Sequence, residues 1–114
     1  MKYTIIPDIH ADYSRLKWSI KSAEDSSIIF LGDLIDAGKN VVEPSDRQVL
    51  KTVKDLISNK KAECILGNHE LNAILFHRNF CTNNKPLRSH NNAHKLQHKS
   101  FIDQIGVKTS EAIY

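Results

Sequence analysis

Up to Gly67 the chain alternates short apolar runs with longer amphipathic stretches. The runs are Tyr3-Thr4-Ile5-Ile6, ending at Pro7, Ile28-Ile29-Phe30-Leu31, ending at Gly32, and Ala62-Glu63-Cys64-Ile65-Leu66, ending at Gly67. Each is β-rich, too short for a helix and closed by a turn residue, so each reads as a strand. Polar residues and then a helical pattern follow every run. That order predicts an α/β fold, a parallel β-α-β-α-β-α sheet with short buried strands.

The first helix is expected from about Asp12, where Tyr13, Leu16, Ile20 and Ala23 cover one face and Trp18 lies off it. The second opens at Pro44 and Ser45, with Ser45 and Gln48 at capping-box spacing, and carries Val49, Leu50, Val53, Leu56 and Ile57 on one side. A third begins near His69, with Leu71, Ile74 and Leu75 apolar, and frays near Phe80. Thr82 to Asn92, rich in Asn and containing Pro86, reads as loop. A last helix is expected from Asn92 to Ile105, stopping at Gly106, with His94, His98, Phe101 and Ile105 on one face. No repeat, low-complexity tract or linker divides residues 1–114, so one domain is expected.

Candidate chemistry sits where those strands end. Asp8 and His10 follow the first, Asp33 and Asp36 the second, and Asn68, His69 and Glu70 the third. In an open parallel sheet the carboxyl ends of the strands share one edge, and ligands bind there. Asp8 and His10, one residue apart, can face a single cation, Asp33 can share its oxygens between two, and Asn68 adds a neutral oxygen. Such mixed oxygen and imidazole donors suit Mn, Fe, Zn or Ni. Two ions about 3.5–4 Å apart would clamp a phosphoryl group and lower the pKa of a bridging water to about 7, giving hydroxide for hydrolysis of a phosphate ester. His69 is placed to protonate the leaving alkoxide, with Asp36 holding its tautomer. Taken singly, Asp-x-His and Gly-Asp-x-x-Asp are also ordinary turn chemistry. The three blocks in this order, each at a strand end, favour the metal site.

Pro7-Asp8-Ile9-His10, Gly32-Asp33-Leu34-Ile35-Asp36 and Gly67-Asn68-His69-Glu70 resemble the Gly-Asp-x-His, Gly-Asp-x-x-Asp and Gly-Asn-His-Glu blocks of the calcineurin-like metallophosphoesterases. The stretch Gly67 to Phe101, with Asn72-Ala73-Ile74, Phe76-His77, Leu87-Arg88, His90 and Gln97-His98, is similar to the bacterial diadenosine-tetraphosphatase-related branch, which also contains serine/threonine-phosphatase-like members. The resemblance implies half of a β-sandwich flanked by helices, two divalent metals, and hydrolysis of phosphomonoesters or dinucleoside polyphosphates. It places Asp8, His10 and Asp33 on the first metal and Asp33 and Asn68 on the second. It makes His69 the proton donor oriented by Asp36, and puts Asn68 and His69 also against substrate. Glu70 is assigned to the helix N-terminus.

Three departures accompany the resemblance. Pro7 stands where the family has Gly, and Ala37-Gly38 stands where an Arg-Gly pair grips substrate phosphate, leaving Arg88 or Lys39 to supply that charge. The family's later Gly-His-x-His blocks and second sheet have no counterpart here. His90, His94 and His98 are read as exposed or phosphate-facing residues of a polar helix, with replacement metal ligands as the alternative. A sheet without its partner sheet would bare an apolar face, so a homo-oligomer or association with a missing C-terminal piece is expected.

Bulk properties alter little. With 40% hydrophobic and 25% charged residues, the composition is that of a globular protein. No run approaches the roughly 20 apolar residues of a membrane span, and the N-terminus lacks a signal-like stretch, so a soluble, cytoplasmic chain is expected. Cys64 and Cys81 are read as reduced, structural thiols. The net charge of +3 comes from dispersed Lys and Arg, which argues against nucleic acid and suits a phosphorylated small molecule or nucleotide. The competing function is a non-catalytic metal- or nucleotide-binding remnant.

Overall fold

A computed structural model describes residues 2–78 and 85–105. Three parallel strands form one sheet in the order β1 (Tyr3–Ile6), β2 (Ser27–Phe30), β3 (Ala62–Cys64), with α1 (Tyr13–Ser22) and α2 (Asp46–Ser58) as the two crossovers. After β3 come α3 (Asn68–His77), α4 (Asn92–Gln97) and α5 (Lys99–Ile105). Phe80, Cys81, Thr82 to Asn84 and Gly106 lie outside the described residues.

The register explains which side is core. Ile6, Phe30 and Cys64 lie side by side, as do Thr4, Ile28 and Ala62, while Ile5, Ile29 and Glu63 share the opposite face. Strands added successively in one direction through right-handed crossovers place α1 and α2 on the same side. Ile6, Ile28, Phe30 and Ala62 accordingly pack with Leu16 of α1, Val49 and Val53 of α2 and Phe101 of α5 in a single cluster. The other face is bare: Tyr3 is 57% and Ile5 51% exposed, and Leu31 and Ile65 are open as well. The bare face is the one expected of a sheet without a partner sheet. The outer side is apolar at Tyr3, Ile5 and the half-buried Ile29, and charged at Glu63 of β3. No helix among the described residues is long and apolar enough to cross a membrane.

Local signals set the helix boundaries. Asp12 caps α1 by accepting the Arg15 N–H at 3.2 Å, and Ser45 caps α2 by accepting that of Gln48 at 3.4 Å. Trp18, off the stripe, is exposed. The third strand stops at Cys64, two residues before the expected end, and Cys64 is an exposed free thiol rather than a packed core residue.

The single last helix is also corrected. It breaks at His98, whose backbone leaves helical geometry at φ −93° and ψ 8°. His98 is fully buried along with Phe101.

Candidate metal centre

The loops after β1 and β2 are zipped together by backbone hydrogen bonds. The N–H of His10 donates to the Asp33 carbonyl at 2.9 Å, and that of Ala11 to the Leu34 carbonyl at 2.7 Å. Asp8, His10, Ala11, Asp33 and Asp36 all adopt positive φ, between 36° and 65°. Such left-handed conformations cost of order 1–3 kcal/mol each outside glycine and persist only when surroundings enforce them. What they gain here is direction: one ligand atom each from Asp8, His10 and Asp33 lies within 4.8 Å of the others. This is the group among the described residues that could hold a metal ion.

The imidazole of His10 is oriented for that task. Its Nδ1–H donates to the Ile35 carbonyl at 3.0 Å, which leaves the Nε2 lone pair for a ligand.

The third loop closes on the second at van der Waals limits. A Cβ on Gly32, at φ +86°, would stand 2.3 Å from the Gly67 nitrogen, and a Cβ on Gly67 would stand 2.4 Å from the Asp33 nitrogen. Both motif glycines are thus required for backbone to approach backbone. Glu70 locks the contact: its Oε1 accepts the Asp33 N–H and, at 3.1 Å, the Gly67 N–H, while Oε2 accepts the Leu34 N–H at 2.9 Å. Sequence reasoning gave Glu70 only the helix terminus. Its place at the third position of α3 was the visible signal, but its reach to the β2 loop is a long-range contact that local spacing does not reveal.

Asn68 and His69 then stand beside Asp33. The His69 N–H donates to Asp33 Oδ1 at 2.9 Å. With its nitrogen turned toward Asp33, the Asn68 amide donates to Oδ2 at 2.9 Å and Oδ1 at 3.0 Å. Turned over, it sets an amide oxygen against two carboxylate oxygens, an arrangement a cation would stabilise. Two carboxylates, one imidazole and one amide oxygen form a donor set that fits a hard or borderline divalent ion.

Next to these groups is a second layer. The His69 and His10 rings meet edge to face with centroids 4.5 Å apart. His69 Nδ1 lies 3.0 Å from Asp36 Oδ2, with the imidazole 23% and the carboxylate 1% exposed, so a ligand can reach the ring but not the acid. The same Oδ2 is 2.8 Å from Nδ1 of His98.

His98 is buried, which corrects the expectation of an exposed or phosphate-facing residue; its ring packs between Asp36 and Phe76. His90 donates its Nε2–H to the Phe76 carbonyl at 2.6 Å and stacks on the Phe76 ring. His94 is tied to Ser89. These three histidines therefore do not converge on one ion. Arg88 is half-buried, its Nη2 donating to Gln97 Oε1 at 2.7 Å, and Gln97 Nε2 lies 3.4 Å from His69 Nδ1. Lys39 is exposed.

Asp46, at the start of α2, accepts the Asp36 N–H at 3.1 Å and is wholly buried. Burial raises its pKa above the ordinary 3.8, against the opposing effect of hydrogen bonds from the Asp36 N–H and the Ser100 hydroxyl. The Cys64 thiol, exposed on one side, is also raised, first by desolvation from the protein atoms on its other side and then by the nearby Glu70 charge.

Compared with known families, residues 1–112 match the profile of the calcineurin-like phosphoesterases. The chain belongs to that family. No curated protein and no solved structure matches it. Membership makes the domain a hydrolase by family and gives the Asp8, His10 and Asp33 cluster its natural context as part of a site for divalent metal.

Proposed function

We propose that the chain hydrolyses phosphate esters with two divalent ions held by Asp8, His10, Asp33 and Asn68, and with His69 as proton donor. The observation that carries this reading is the juxtaposition of the three convergent ligands with the His69–Asp36 pair at one sheet edge. Asp8, His10 and Asp33 would hold the first ion, and Asp33 and Asn68 would hold the second. Bound there, divalent ions supply Lewis-acid polarisation of the phosphoryl group and a nucleophilic water of lowered pKa.

The remaining roles belong to the chain itself. Asp36 Oδ2 accepts the Nδ1–H of His69 and so reserves Nε2 for the leaving oxygen, where the protonated ring donates. Asn68 and His69, on the first turn of α3, orient the substrate phosphate, and Arg88 lends positive charge from behind Gln97. Phosphomonoesters and dinucleoside polyphosphates are the proposed substrates, on the resemblance of Gly67 to Phe101. Residues 1–114 act as one domain in this reading.

The test compares leaving groups. His69→Ala is expected to keep metal binding and lose about 10²–10⁴-fold in kcat on phenyl phosphate, with a much smaller loss on p-nitrophenyl phosphate, whose leaving group needs no proton. Equal losses on both would remove His69 from the proton-donor role. Metal binding without any turnover in the unaltered chain would instead favour a non-catalytic binding protein.

A further inference from the structure

Asp36 holds two imidazoles with one oxygen. His69 Nδ1 at 3.0 Å and His98 Nδ1 at 2.8 Å both address Oδ2, while Oδ1 is buried and, among the described residues, without a hydrogen-bond partner. An ionised carboxylate only accepts, so each ring must present an N–H to it. The His98 side chain has no other polar partner among the described residues: it is fully buried, its Nε2 lacks a partner there, and its ring packs against Phe76 with centroids 5.1 Å apart. A histidine buried for packing alone is an expensive choice, since its polar atoms must leave water.

The main chain around Asp36 is held from the same side. Its N–H donates to Asp46 Oδ2 at 3.1 Å, and the next N–H, of Ala37, donates to Ser100 Oγ at 3.0 Å. Backbone contacts do not fix the carboxylate, however, because the terminal torsion of Asp is soft. His98 supplies the missing constraint.

We infer that His98 is a positioning residue for His69, donating Nδ1–H to Asp36 Oδ2 and so fixing the carboxylate in the orientation that selects the tautomer and ring plane of His69. The inference rests on the proposed role of His69 for its catalytic meaning. Its structural content is independent of turnover. His98 stands at the junction of α4 and α5, against the loop after β2.

Ring-nitrogen NMR on the full, ¹⁵N-labelled chain tests this directly. In the unaltered protein His98 is expected as a slowly exchanging Nδ1–H tautomer and neutral His69 as Nδ1–H. In His98→Leu the His69 ring should lose that preference and show the Nε2–H form or averaged shifts. His98→Asn, whose amide nitrogen stands near the position of Nδ1, should retain it. Kinetically, His98→Leu should lower kcat on phenyl phosphate about tenfold, within the range open to acid catalysis, with KM unchanged and a smaller effect on p-nitrophenyl phosphate.

An Nε2–H tautomer at His98 in the unaltered chain overturns the inference without any variant, so a failure of His98→Leu to fold leaves it decidable. An unchanged His69 ring in a folded His98→Leu protein, or equal disturbance by Leu and Asn, also overturns it. If the ring result holds but His69→Ala shows no leaving-group dependence, the proposed proton-donor role fails and the positioning of His69 stands.

Discussion

Replacing Glu70 by Gln removes one charge and one acceptor from the contact that joins the second and third loops. In the best case the amide oxygen takes the place of Oε1 and keeps the Asp33 and Gly67 donors, and the NH₂ then faces the Leu34 N–H that Oε2 accepted at 2.9 Å. A buried donor left without an acceptor costs about 1–3 kcal/mol. The two surviving bonds lose their charge assistance, and charged hydrogen bonds are roughly twice as strong as neutral ones. Together these give a loss of about 2–5 kcal/mol, against a total stability of about 5–15 kcal/mol for an ordinary domain. If Glu70 acted only through the helix dipole, the loss would be about 0.3–1 kcal/mol. The two accounts therefore separate cleanly in a urea titration followed by circular dichroism at neutral pH. Metal affinity should fall in parallel, because the same carboxylate holds the Asp33 backbone. A Glu70→Gln protein within about 0.5 kcal/mol of the parent would refute the bridging role.

Other consequences are as specific. Asp33→Asn should weaken Mn binding at least about hundredfold in calorimetry, more than the usual effect of groups that merely support a ligand, and unchanged affinity would remove Asp33 from the centre. The two faces of β1 should respond oppositely. Ile6→Ala, on the core face, should cost about 2–5 kcal/mol, whereas Ile5→Thr, on the bare face, should stay within about 0.5 kcal/mol in the same denaturation assay. Asp46 has a pKa raised above 3.8, so between 3.8 and that raised value the folded chain binds more protons than the unfolded one, and its contribution to stability declines as pH rises through the window. Asp46→Asn, which can still accept from the Asp36 N–H, should flatten that decline in pH-dependent thermal melts; an unaltered profile would show that Asp46 is not its source.

Much of the site was legible because parallel strands expose their carboxyl ends together. Asp8, His10, Asp33, Asn68 and His69 each follow an apolar run within a few residues, and that alone brings them to one edge. What lay hidden depends on contacts distant in sequence. The runs alone do not say which face is covered: consecutive strand residues point to opposite faces, and the register sets Ile6 and Ile28 in the core, Ile5 in solvent and Ile29 between. His98 read as one of several spaced histidines on a polar helix, yet its partner is Asp36, 62 residues away, whereas His94 is tied to the neighbouring Ser89. Glu70 matched a capping pattern and satisfied it through the Gly67 N–H, but two of its three donors come from residues near position 33.

The central claim is that the three strand-end loops form a working divalent-metal site. The most direct measurement is metal content together with p-nitrophenyl phosphate hydrolysis on one purified sample, with Mn added and with chelator. The account predicts about two bound ions per chain and turnover that chelator abolishes and Mn restores. Hydrolysis that survives complete removal of metal, or a chain that takes up no divalent ion at all, would contradict it.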